Sequence, residues 1–324
     1  MLYASLAILT GFAVLVWGAD RFVTGAAATA RNLGVSPLVV GLTVVGFGTS
    51  APEMLVGSVA AWLGSPEIAI GNALGSNIAN IALILGATAV MVPLSVHSNI
   101  LRREFPLLML ATLIAAAVVM DGDLTRVDAL VLLTMLAGLL YWIVRVALEE
   151  RHGGKGDPID DEFDAEIPAD MGQGAATFWL IVGLAALLAS SRLLVWGATE
   201  IAVAFGISDL VIGLTIVAVG TSLPELAASI ASARKNEPDI AIGNVIGSNM
   251  FNSLAVLGAP VLIQPTAVSA AVLSRDMPMV IGLTVLMFFM AVGSGSHGRI
   301  NRLEGAVLLA IFLAYQGYLL HGVG

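Results

Sequence analysis

Two glutamates, Glu53 and Glu225, stand in the same short context. The stretches are Gly48-Thr49-Ser50-Ala51-Pro52-Glu53 and Gly220-Thr221-Ser222-Leu223-Pro224-Glu225. Each is followed by a second motif, Gly75-Ser76-Asn77 with Asn80 and Gly247-Ser248-Asn249 with Asn252. Glu53 and Glu225, like Asn80 and Asn252, are 172 residues apart, so the duplication runs without a gap. The candidates Thr49, Ser50, Ser76, Asn77 and Asn80, with Thr221, Ser222, Ser248, Asn249 and Asn252, offer hydroxyl and amide oxygens beside the two carboxylates. Helix-loosening Gly48 and Gly220 and helix-breaking Pro52 and Pro224 are expected to free carbonyls just upstream, at Gly46 and Ala218. Every donor is a hard oxygen, which suits calcium, sodium or magnesium and argues against zinc or copper. Thr49 and Glu53, Ser76 and Asn80, and Ser248 and Asn252 are each four apart, so each pair lies on one helix face. Calcium accepts about 6 to 8 such oxygens in flexible geometry, whereas magnesium holds its waters in a strict octahedron.

These residues sit in apolar surroundings. The chain of 324 residues is 58% hydrophobic and 11% charged, too few polar groups to cover a water-soluble surface. Apolar runs fall near 3–30, 36–62, 67–91, 104–120, 127–148, 176–204, 208–233, 239–262, 277–293 and 302–320. In lipid they must be helical, because lipid offers no partner to an open backbone group. The expected fold is an all-α membrane protein of about ten transmembrane helices. A charged side chain at bilayer depth is costly, so both glutamates read as functional. Gly71, Gly75, Gly243 and Gly247, spaced by four, read as helix-packing positions.

The halves are expected at 1–148 and 176–324, each with five spans, joined by an acidic linker at 149–175. An odd span number inverts the second half relative to the first. Asp157, Asp160, Asp161, Glu162, Asp164, Glu166 and Asp170, mixed with Gly and Pro, account for much of the net charge of −9 and lack the spacing of an EF-hand loop. Alternating loops put Arg31, Arg102, Arg103, Arg145, Arg151, Lys155, Arg234, Lys235, Arg299 and Arg302 on one side, against Arg126 and Arg275 on the other. The linker side is therefore expected to be cytoplasmic and both termini outside, with the first apolar run a retained helix. The chain has no cysteine, which excludes thiol chemistry.

Other polar residues have plainer readings. Glu67 and Asp239 suit helix starts. His97, His152, His297 and His321 form no paired metal motif, and Trp17, Trp62, Trp142, Trp179 and Trp196 read mostly as interfacial anchors. Asp20 and Arg192 are also 172 apart, and two readings stand: an ion pair between symmetric helices, or separate snorkelling to the interfaces.

On the residues 34–86 and 206–258 the chain resembles the cation/calcium exchanger superfamily, in particular its sodium/calcium exchanger branch, whose paired alpha repeats carry the two motifs above. The compact linker is similar to that of prokaryotic members. The resemblance implies antiport of sodium against calcium in the plasma (inner) membrane, with no cofactor, nucleic acid or obligate protein partner. It implies that Glu53 and Glu225 are central calcium ligands shared with sodium. Thr49, Ser50, Ser76, Asn80, Thr221, Ser222, Ser248, Asn252 and the carbonyls of Gly46 and Ala218 would complete the calcium and flanking sodium sites. Potassium-dependent relatives carry Asp where Asn252 stands, so the resemblance implies potassium independence. A proton/calcium exchanger of the same superfamily is the alternative, although Gly71-Asn72 and Gly243-Asn244 lack the trailing Glu typical of its repeats. An intramembrane hydrolase using the two glutamates as acid and base would lack an accompanying nucleophile or metal motif.

Overall fold

Lipid forces the chain to satisfy its backbone internally, and most of the described residues are helical. The computed structural model describes residues 2–96, 103–153, 171–205, 218–292 and 298–321. The helices are α1 (Leu2–Leu33), α2 (Pro37–Trp62), α3 (Glu67–Met91), α4 (Phe105–Val119) and α5 (Arg126–Gly153) in the first half. In the second half come α6 (Gln173–Ala204), α7 (Leu223–Arg234), α8 (Pro238–Ile263), α9 (Val272–Val292) and α10 (Arg302–His321). A single turn, Ala218–Thr221, precedes α7. Seven of the described helices are long and apolar enough to cross a membrane: α1, α2, α3, α5, α6, α8 and α9. Most of the linker, the segment 206–217 and His97 and His297 lie outside the described residues.

Four very short strands depart from the all-helical expectation. Strand β1 (Leu94–Val96) pairs antiparallel with β4 (Gly298–Ile300), and β2 (Asp123–Leu124) with β3 (Thr266–Ala267). Segments of two or three residues are too short to display the alternation that marks a strand in sequence. Each ribbon ties a loop of the first half to a loop of the second.

The apolar interior divides into two clusters. One joins α2 to α5 with α8 to α10, and within it α8 and α3 are the most enclosed spans. The other is built mainly from α1 and α6, with Val40, Val45, Ala228 and Ile240 where that pair meets the rest. Close approach of α1 and α6 rests on small residues seven apart: Gly11, Gly18 and Gly25 on α1 and Gly183, Ser190 and Gly197 on α6. A methyl added at Gly197 would stand 2.8 Å from the Ala4 carbonyl oxygen, and one at Gly11 would stand 2.7 Å from Leu194 Cγ. The two helices therefore run antiparallel, backbone against backbone.

Glycines also set the α2–α8 contact that brings the two motif regions together. A methyl at Gly243 would meet the Leu38 carbonyl oxygen at 2.9 Å, and one at Gly247 would meet the Leu42 carbonyl oxygen and, at 2.8 Å, its carbonyl carbon. Gly71 and Gly75, their counterparts, have no such neighbour within 4 Å among the described residues. The segment equivalent to Leu38–Leu42 falls within 206–217, outside those residues.

Four helices contain wide turns: Gly41–Val45 in α2, Ala79–Leu85 in α3, Asn252–Val256 in α8 and Val272–Asp276 in α9. Asn80 and Asn252 lie in equivalent wide turns, which re-aim side chains and recur at functional sites. Replacing Gly247 by Ala should destabilise the protein by about 1–3 kcal/mol, the usual cost of overpacking. Gly138→Ala, at an exposed position with open space, should be close to neutral. Thermal unfolding of the two purified variants in one detergent checks this; equal midpoints would contradict the tight α2–α8 contact.

Candidate functional site

The repeated motifs meet where α2, α3, α7 and α8 cross. On α2, Pro52 is accommodated inside a continuous helix, Gly46–Trp62, and Thr49, Ser50 and Glu53 are all buried. By position the carbonyl that Pro52 leaves without its helical donor is that of Gly48, four residues back, rather than Gly46. Gly46 still presents its carbonyl here, because α8 packs against it and Ser248 Oγ donates to it at 3.1 Å.

The second copy is broken where the first is continuous. Ser222 has non-helical backbone angles (φ −91°, ψ 5°), α7 starts after it with Pro224 in its first turn, and Glu225 follows there. A carboxylate in the first turn faces the positive end of the helix dipole. Ser222 and Glu225 are buried and Thr221 is half-buried, while Ala218 opens the preceding turn. On α3, Ser76, Asn77 and Asn80 are buried, as are Ser248, Asn249 and Asn252 on α8.

Hydrogen bonds cross between the halves. Ser50 Oγ approaches Glu225 Oε1 at 3.4 Å, Asn80 Nδ2 donates to Asn249 Oδ1 at 3.2 Å, and Asn77 Nδ2 donates to Ser253 Oγ at 2.9 Å. Among the described residues, one oxygen of each glutamate, Glu53 Oε2 and Glu225 Oε2, is buried without a hydrogen-bond partner, as are Asn77 Oδ1 and Asn252 Oδ1. No Lys or Arg forms an ion pair with either glutamate among the described residues, and no cluster of three Asp, Glu, His or Cys occurs there. The site is thus two buried carboxylates, 1% and 2% exposed, surrounded by neutral oxygens. Such a set can hold a desolvated cation.

Residues that the motif reading left without a role also belong here. Asn72 Nδ2 donates to the Glu53 carbonyl and Asn244 Nδ2 to the Glu225 carbonyl, each at 3.1 Å. Both asparagines lie in the repeated Ile-Ala-Ile-Gly-Asn, so their recurrence was the available signal. Ser229 and Ser253 have Gly57 and Ile81 at the equivalent positions of the first half, and nothing in the sequence marks them. Ser191 Oγ on α6 donates to the Gly220 carbonyl at 2.6 Å, joining the α1–α6 pair to the turn before α7.

Of the two readings of Asp20 and Arg192, the ion pair between them is not formed. Lys235 Nζ, just beyond α7, lies 2.7 Å from Asp20 Oδ1, while exposed Arg192 lines a crevice with Pro52, Thr221, Pro224 and Trp196. Along the antiparallel α1–α6 pair Gly18 faces Leu187 and Gly25 faces Leu180, which sets Arg192 about two turns away from the level of Asp20.

An inward-facing group of carboxylates, hydroxyls and amides, built by duplicated motifs inside apolar helices, defines a multi-pass membrane transporter for cations. The comparisons place it more closely. The family described as sodium/calcium exchanger protein matches residues 3–145 and 175–320, and the chain belongs to that family. It is 43% identical to inner membrane protein YrbG of Escherichia coli over 286 residues, 88% of each chain. It is 30% identical to sodium/calcium exchanger MaX1 of Methanosarcina acetivorans, covering 96% of each chain. Its fold matches the solved sodium-calcium exchanger NCX_Mj with a TM-score of 0.83 and 33% identity, covering 98% of this chain and 99% of that one.

The Asp20–Lys235 contact bridges α1 and the end of α7, with side chains 48% and 31% exposed, so about 0.2–1 kcal/mol is its expected worth. Asp20→Asn should widen the distance distribution between spin labels on α1 and α7, and Asp20→Lys combined with Lys235→Asp should narrow it again. An unchanged distribution in Asp20→Asn would mean the contact does not hold α1 in place.

Proposed function

We propose that the protein is a sodium/calcium antiporter working by alternating access. The observation that carries this is the buried pair Glu53 and Glu225, with no Lys or Arg paired to either among the described residues. Two ionised carboxylates in a water-poor site require about two positive charges. One calcium supplies them, and so do several sodium ions, but an empty site is penalised. If loaded forms change access more readily than the empty one, exchange becomes obligatory.

In this reading Glu53 and Glu225 hold calcium and share it with sodium. Thr49, Ser50, Ser76, Asn77, Asn80 and the Gly46 carbonyl contribute from one half; Thr221, Ser222, Ser248, Asn249, Asn252 and the Ala218 carbonyl contribute from the other. The unpartnered oxygens on Glu53, Glu225, Asn77 and Asn252 support the assignment, since a bound cation would satisfy them.

The topology that fits is ten spans in two inverted five-helix repeats, 1–148 and 176–324, with the linker 149–175 cytoplasmic and both termini outside. The ribbons support it. Pairing β1 with β4 requires the loops after α3 and α9 to share one face, and pairing β2 with β3 puts the loops after α4 and α8 together. Ten alternating spans meet both conditions, with the Arg-rich loops on the linker side. The separate α1–α6 apolar cluster supports movement of that pair over the rest. NCX_Mj and MaX1 are named as sodium/calcium exchangers, and YrbG as an inner membrane protein, which favours this chemistry and the same membrane here.

The test is calcium uptake by proteoliposomes under an imposed sodium gradient, with a proton gradient as the comparison. Sodium-driven uptake is expected, falling to the level of protein-free liposomes in Glu53→Gln and Glu225→Gln, each of which removes one of two charges at nearly constant volume. Uptake driven by protons alone would make this a proton/calcium exchanger. A second measurement concerns Asn252, whose neutral amide leaves the site near −2. Wild-type uptake is expected to be independent of potassium, and Asn252→Asp to become sensitive to potassium or pH, because a third carboxylate needs a further cation or proton. A strict potassium requirement in the wild type would contradict the assignment of Asn252.

A further inference from the structure

Four neutral oxygens close into a ring on the α2–α8 side of the glutamates. Thr49 Oγ1 lies 3.4 Å from the Gly46 carbonyl oxygen and 3.4 Å from Asn244 Oδ1, and Ser248 Oγ lies 3.1 and 3.5 Å from the same two atoms. Thr49, Asn244 and Ser248 are each 0% exposed. Separations of 3.4–3.5 Å are long for O–H···O hydrogen bonds, which centre near about 2.7–2.8 Å. They match a different geometry. Oxygens about 2.3–2.6 Å from a cation of calcium's size and at right angles to each other are roughly 3.3–3.7 Å apart. Sodium is nearly the same size.

The amide is fixed in this orientation. Both hydrogens of Asn244 Nδ2 are used, one toward the Glu225 carbonyl at 3.1 Å and one toward Ser229 Oγ at 2.8 Å, so Oδ1 faces the ring. Thr49 can donate its proton to the Val45 carbonyl at 3.0 Å, which leaves its lone pairs facing the ring. The first half lacks this anchor. Asn72 reaches the Glu53 carbonyl in the same way, but it is half-buried and Gly57 stands where Ser229 would be.

We propose that Asn244 Oδ1 is a ligand of a small monovalent cation, sodium in the proposed exchange, and that Asn244 therefore sets the preference between sodium and calcium. The ring carries no formal charge of its own, so it serves an ion of charge +1 better than one of charge +2, which draws chiefly on the carboxylates. A residue that only braced Glu225 would change both ions together.

The proposal rests on the antiporter reading, and the experiment separates the two. Equilibrium binding of radioactive sodium and of radioactive calcium is measured on purified wild type, Asn244→Leu, Asn244→Asp and Ser229→Ala. Wild type binding neither ion would overturn the antiporter reading itself. Given wild-type binding, Asn244→Leu should weaken sodium about tenfold and calcium less than about threefold, the loss expected for one buried polar partner. Asn244→Asp keeps an oxygen in place and should retain sodium binding. Ser229→Ala loosens the anchor without removing the ligand, so a smaller loss in the same direction is expected even if Asn244→Leu does not fold. Equal loss of both ions in Asn244→Leu, a loss of sodium in Asn244→Asp as large as in Asn244→Leu, or unchanged sodium binding in Ser229→Ala would overturn the ligand role.

Discussion

Two buried carboxylates with no fixed counter-charge among the described residues are the constraint on which the rest of the structure depends. Each would cost several kcal/mol to ionise in isolation, and their mutual repulsion adds to that cost. A paired Lys or Arg would relieve the cost permanently and leave nothing for a mobile ion to do. The protein instead surrounds Glu53 and Glu225 with hydroxyls, amides and carbonyls, the kind of neutral oxygen donors that suit a desolvated cation.

That arrangement demands close backbone approach and locally irregular helices. Gly243 and Gly247 let α8 lie against the backbone of α2, which brings Ser248 to the Gly46 carbonyl and Asn244 to Thr49. Wide turns at Asn80 and Asn252, at equivalent points of both halves, and the break at Ser222 in the second half interrupt the helices beside the site. The α1–α6 pair is packed on itself through its own small residues and touches the site region through few polar contacts, Ser191 to the Gly220 carbonyl among them.

Much of this was legible in the residues. Apolar length located most of the described helices to within a few residues, because a membrane allows little else; the exception is the run 208–233, whose described helix starts only at Leu223, after the break at Ser222. The motif repeat marked Glu53, Glu225 and their neighbouring oxygens, because polar groups are conspicuous against apolar sequence. The ribbons, Ser229 and Ser253 were not legible: two-residue strands have no period, and a serine among alanines shows no sign of what it faces. The glycines and serine spaced by seven on α1 and α6 were a readable pattern that the motif reading passed over. Asp20 illustrates a different limit, since the repeat spacing pointed to Arg192 while the antiparallel packing of α1 and α6 separates the two, and Lys235 and Arg21 are the cations beside Asp20 instead.

The central claim is that one pair of carboxylates serves both ions in turn, so that calcium and sodium exclude each other at equilibrium. Calcium binding to the purified protein, titrated at a series of fixed sodium concentrations, measures this directly. The account predicts that the apparent calcium affinity falls continuously as sodium rises, with more than one sodium displaced per calcium and no change in the number of calcium sites. Calcium affinity that reaches a plateau at high sodium, with both ions bound together, would contradict it.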